Sequence, residues 1–179
     1  GERGQNSPPP AYQAGFPVDM FTNRSDVTAT TQWYTFDRLR GKIQTLFLDD
    51  TTSEQAYGGN AYAFDQMQGI GSSTNSDVNN YSWMWRRAPG YFDVVAYQGT
   101  GSPNNGYRDV THNLGVQPEM MWLKRRDSTS EWTVNHKDAG AGYLNLTNSF
   151  NAYPRNGFSH NDAFTAPTFS AKAQDEWNF

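Results

Sequence analysis

The sequence contains no cysteine, which excludes a disulfide frame, a thiolate metal site and a cysteine nucleophile. Such a chain suits folding in a reducing cytosol and later work outside it. Charge is also scarce: charged residues make up 18% of the chain and sum to a net −4. A chain with that balance does not bind nucleic acid by neutralising phosphates. No apolar run reaches the length of a membrane span, and no basic start leads into an apolar stretch, so neither a transmembrane helix nor a signal peptide is read. A sustained helical repeat of apolar positions is missing as well. What is present is 179 residues, 15% of them aromatic, amid abundant Gly, Asn, Ser and Thr. That mixture predicts one all-β domain with many turns.

The centre of the chain carries the strongest strand signal. Tyr81–Arg87 and Tyr91–Tyr97 are rich in aromatic and β-branched residues and are separated by Ala88, Pro89 and Gly90, which reads as two strands around a breaker. Tyr81, Trp83 and Trp85 alternate with Ser82, Met84 and Arg86, so one face of the first strand is wholly aromatic. Such a face is the wall of a core or a surface for something flat. Further strands are expected at Asp19–Thr22, Gln32–Phe36, Thr45–Leu48, Ala61–Phe64, Phe92–Tyr97, Glu119–Leu123, Glu131–His136, Gly142–Leu146 and Gly157–Ser159. Residues 1–13, with Pro8, Pro9 and Pro10, read as a proline-rich leader or linker, and Gly69–Asn80 as a polar surface loop.

The two halves echo one another. Gly15, Asp19 and Met20 recur as Gly115, Glu119 and Met120 at an offset of 100, and Trp33, Asp37 and Gly41 recur as Trp132, His136 and Gly140 at an offset of 99. This reads as a tandem duplication, copy one spanning 14–98 and copy two 99–179. Two copies are too few for an open solenoid. The expected architecture is therefore one closed two-sheet antiparallel sandwich over 14–179 to which each copy contributes strands of both sheets.

The run from Trp83 to Gly101, followed by Thr111-His112-Asn113-Leu114-Gly115-Val116-Gln117-Pro118-Glu119-Met120-Met121-Trp122-Leu123-Lys124, resembles a duplicated domain of tail and other virion proteins of marine and environmental tailed phages. That domain is similar in plan to concanavalin A-like and laminin G-like sandwiches, so the resemblance implies a jelly-roll or concanavalin A-like type for the expected two-sheet sandwich. The resemblance covers roughly Gly15 to Phe169 and implies a virion component, assembled in the host cytoplasm and working in the extracellular particle. It implies other virion proteins as partners and a homo-oligomer. The family's second copy usually closes with an aromatic strand equivalent to Tyr81–Arg86, whereas this sequence stops at Asp175-Glu176-Trp177-Asn178-Phe179. Either that strand is cut short or another chain completes the edge.

Candidate chemistry is sparse. Glycoside hydrolysis needs two carboxylates facing each other across a cleft, and none of Glu2, Glu54, Glu119, Glu131 and Glu176 has a carboxylate partner at a suitable spacing within a strand. No catalytic residue is assigned, and the protein is read as non-enzymatic. His112, His136 and His160 lack the spacing of a zinc site; His136 stands in the slot of Asp37, where a polar group would bond backbone. No metal site or cofactor is expected, calcium at Asp49, Asp50 and loop carbonyls being the one cation such loops suit. Trp33, Trp83, Trp85, Trp122 and Trp132 are assigned to the core. If a glycan binds, the candidates are loop tyrosines Tyr57, Tyr107 and Tyr153. The function read is a structural virion component (tail fibre, tail tip or surface decoration) with host-surface or glycan adhesion. The alternative is a carbohydrate-binding module of a secreted bacterial enzyme or adhesin.

Overall fold

The computed structural model describes residues 11–25, 31–57, 62–72, 80–98, 107–147, 149 and 168–172. Thirteen strands appear in it, all pairings antiparallel: β1 (Tyr12–Gln13), β2 (Met20–Ser25), β3 (Tyr34–Asp37), β4 (Gln44–Phe47), β5 (Gln55–Ala56), β6 (Tyr62–Ala63), β7 (Gly69–Ser72), β8 (Asn80–Trp85), β9 (Tyr107–Thr111), β10 (Met120–Leu123), β11 (Thr133–His136), β12 (Gly140–Tyr143) and β13 (Thr168–Lys172). The all-β class read from composition is the observed one. The described strands form four sheets rather than the expected two, in the orders β5-β4-β3-β2-β8, β1-β7-β6, β10-β11-β12 and β13-β9.

The chain divides into two compact units. The first comprises the described residues up to Leu48 together with Glu54–Arg87; the second comprises Asp49–Ser53 and the described residues from Ala88 onward. The division thus falls at Arg87/Ala88, and a short piece of the first half belongs to the second unit.

In the first unit a five-stranded and a three-stranded sheet share one core. Phe21 and Phe36 from the larger sheet meet Tyr12, Tyr62 and Ile70 from the smaller one, with Phe64 and Val18 beside them. The Phe21 ring stacks on Phe36 at 5.0 Å and meets Tyr62 edge-on at 4.8 Å, geometries that add to simple area burial. A buried polar set also ties the layers: Asn23 Nδ2 donates to Tyr12 Oη at 3.1 Å and to Ser82 Oγ at 3.3 Å. Two sequence expectations fail here for the same reason. Ala11 and Tyr12, read as leader, lie in the core, where Tyr12 joins the cluster of Ile70 and takes a bond from Asn23, while Gln13 of the same strand is exposed. Gly69–Ser72, read as loop, is a strand with Ile70 fully buried, since β1 and β6 flank it on both sides.

The second unit holds β9 to β13 over a core of Val110, Leu123, Trp132, Val134 and Ala141. The expected strand Phe92–Tyr97 does not form. Tyr91 and Phe92 close a turn onto Ala88, and the Asp93 carboxylate accepts the backbone N–H of Val94 and of Asn113 at 3.0 and 2.7 Å, so side-chain bonds replace a ladder. The expected strand Gly157–Ser159 lies outside the described residues.

The β2–β3 and β10–β11 hairpins share one register. Met20 pairs with Asp37 as Met120 pairs with His136, and Asn23 with Tyr34 as Leu123 with Thr133. Arg38 N donates to Asp19 O at 2.8 Å, and Lys137 N to Glu119 O at 2.9 Å. Gly41 and Gly140 both take positive φ, 90° and 81°, a conformation that excludes most side chains from the turn.

Candidate functional site: an aromatic face on an edge strand

Among the described residues β8 lies at the edge of the five-stranded sheet, paired over six residues with β2. Its alternation is the reverse of the expected one. Ser82 is 3% exposed and Met84 packs on the core, whereas Tyr81 and Trp83 are 43% and 47% exposed. The inversion follows from the polar set around Asn23, which draws Ser82 inward and so turns every second residue of β8 outward. Trp83 is therefore no core residue. Its ring meets that of half-buried Trp33 at 4.9 Å with planes tilted by 37°, and the Arg24 guanidinium lies over Trp33 at 5.2 Å. Among the described residues Arg24 Nε, which is buried, has no hydrogen-bond partner. Beneath the rings, buried Thr22 and Thr35 join hydroxyls at 3.2 Å. Half-buried Trp85 continues the row opposite Met20. The result is a half-open aromatic surface with one cation beside it, on a backbone held by β2 and β3. Aromatic faces with a few polar groups suit the apolar faces of sugar rings.

Trp122, also assigned to the core, is 38% exposed on β10, where its indole Nε1 approaches Met120 Sδ at 3.2 Å. Trp132 is buried. Tyr57, expected to face a ligand from a loop, packs instead against Tyr34 and Phe36 at 5.1 and 5.6 Å on the flank of the first core. Tyr107 begins β9, paired with Lys172; its side chain and all of Tyr153 lie outside the described residues. The aromatic face was legible as a face in the alternation of β8. Its direction was not, because nothing in the sequence marks Asn23 as a buried polar group.

In the first unit Asp19, Asp37 and Glu54 serve arginines, whereas Asp65 accepts from Gln66. Arg38 Nε donates to Asp19 Oδ1 at 3.0 Å and Arg87 N to Asp19 Oδ2 at 2.8 Å. Buried Arg40 bridges Asp37, Glu54 and the Thr35 carbonyl. In the second unit Glu131 accepts from Asn145, and Asp127 takes both arms of Arg125. Asp50 is held below the usual carboxylate range by bonds from the backbone and hydroxyl of Thr52. The Nδ1 atoms of His112 and His136 accept backbone N–H groups, and His160 lies outside the described residues. Among the described residues no group of three or more His, Asp or Glu converges as metal ligands would, and no helix is long and apolar enough to cross a membrane.

These features define an all-β chain of antiparallel sheets, consistent at the coarse level with a β-sandwich-type fold, that presents an aromatic sheet face. The chain belongs to the family described as "Domain of unknown function (DUF7483)", whose model matches residues 3–178. No curated protein and no solved structure matches it.

Proposed function

We propose that the protein is a non-enzymatic structural component of a phage virion that contributes assembly contacts and adheres to host-surface glycans. The observation that carries adhesion is the half-exposed row of Tyr81 and Trp83 beside Trp33 and Arg24. A solvent-facing tryptophan held by a rigid sheet loses little entropy when a sugar ring stacks on it. The virion setting rests on the resemblance of Trp83–Gly101 and of 111–124 to phage tail domains. The non-enzymatic reading is supported by the carboxylates of Asp19, Asp37, Glu54 and Glu119, each engaged by an arginine or a lysine, and of Glu131, bonded by Asn145, where a glycosidase needs two carboxyl groups facing each other across a cleft. We also propose that the two units descend from a tandem duplication within a concanavalin-like plan, a reading supported by the shared hairpin register and by the two layers around Phe21.

A glycan array probed with the full chain tests adhesion. The expected result is binding to a defined sugar class that Trp83→Ala weakens by about tenfold or more. A blank array, or binding indifferent to both Trp83→Ala and Tyr81→Ala, would remove adhesion from the proposal.

A further inference from the structure

The geometry points to β10 as a strand-accepting edge through which two copies of this chain pair, Met120 of each against Trp122 of the other. The inference stands on the second unit alone and is independent of glycan binding.

The bond from Lys137 N to Glu119 O brackets Met120 and His136, which makes them a non-hydrogen-bonded pair. Met121 therefore exchanges its backbone bonds with Asn135, while Met120 and Trp122 direct their N–H and C=O groups away from β11. In the first unit Arg38 N and Asp19 O set the same alternation on β2, and there β8 lies along the second edge from Met20 to Ser25. On β10 that edge has no partner among the described residues.

The edge also lacks the features by which sheets discourage pairing. Met120–Leu123 contains neither proline nor charge, and Met120 and Trp122 are 50% and 38% exposed. Of the two charges that flank it, Glu119 accepts from Lys137 Nζ at 2.6 Å and Lys124 is buried with the carbonyls of Thr51 and Arg125. A second copy is the occupant that the side chains fit. Placing a two-fold axis at Met121 sets each Met120 thioether against the partner indole, a contact that sulfur and aromatic rings favour. The 3.2 Å approach of Trp122 Nε1 to Met120 Sδ within one chain shows that the two groups tolerate each other at close range. Such an interface is isologous and stops at two.

Sedimentation velocity of the full chain across a concentration series tests this. The expected result is a reversible dimer. Met120→Pro removes one outward N–H without touching the β11 ladder, and Trp122→Lys places charge on the contact. Each should leave the thermal transition cooperative and weaken association by at least about thirtyfold, the loss of one buried anchor. Trp83→Lys should leave the dimer unchanged. A chain that stays monomeric, a dimer indifferent to both β10 variants, growth beyond two copies, or a dimer lost with Trp83→Lys would each overturn the inference, the last two by pointing to a contact between β10 and β8.

Discussion

Asp37 and His136 hold the same turn in different chemical forms. Each faces a methionine across its hairpin, and each accepts the backbone N–H three residues on, Arg40 N to Asp37 Oδ1 at 2.9 Å and Ala139 N to His136 Nδ1 at 3.2 Å. The slot selects for an acceptor at that point rather than for a charge. His136→Asp should therefore fold normally, whereas His136→Ala leaves two turn N–H groups without that acceptor and should cost about 1 kcal/mol. Urea denaturation of the two variants makes the comparison.

Arg40 is committed to three acceptors at once, Asp37, Glu54 and the Thr35 carbonyl. Its guanidinium is almost wholly buried with Asp37 and Glu54, so removing it strands two carboxylates. Arg40→Leu should destabilise the first unit by about 3–5 kcal/mol. Arg40→Lys should recover only part of this, since an ammonium cannot reproduce the fork that also reaches Thr35 O. Thermal melts of both variants would show the order.

Trp83 and Phe21 should separate binding from stability. Trp83→Ala removes a half-exposed ring and one tilted aromatic contact, a change of about 1 kcal/mol. Phe21→Ala empties the centre of the first core and should cost about 3–5 kcal/mol. Equal losses on chemical denaturation would return Trp83 to the core.

Lys124 gives the second unit a pH signature. Burial lowers its pKa from 10.5 to about 8, against the pull of Asp50 and Glu131. Its ammonium donates to the carbonyls of Thr51 and Arg125 at 3.1 Å each. With the folded pKa below the unfolded one, the unfolded chain holds more of this proton between about pH 8 and pH 10.5. The contribution of Lys124 to stability therefore rises through that window. Lys137, raised by its bond to Glu119, acts in the opposite sense at higher pH. Denaturation at intervals from pH 7 to 10.5, compared with Lys124→Met, isolates the effect: the rise attributable to Lys124 should vanish in the variant.

The sequence disclosed the all-β class, the aromatic periodicity of β8 and most of the hairpin strands, because these follow from local alternation and turn residues. The direction of β8 depended on Asn23, Tyr12 and Ser82, residues far apart in the chain that meet only on folding. Ile70 and its glycine neighbours looked like loop because glycine carries no strand signal, yet β1 and β6 flank them on both sides. Tyr57 sat in a polar stretch but found Tyr34 and Phe36. Local composition is a poor guide to exposure when a distant partner decides the matter.

Asp49–Ser53 is encoded among the strands of the first unit, yet its Thr51 carbonyl receives both Lys124 Nζ and Ser130 N in the second. Gene order and folded territory therefore do not coincide. A fragment starting at Ala88 would bury a lysine stripped of one of its two acceptors, and recombination that shuffles the halves as cassettes would have to carry those five residues along with the foreign half.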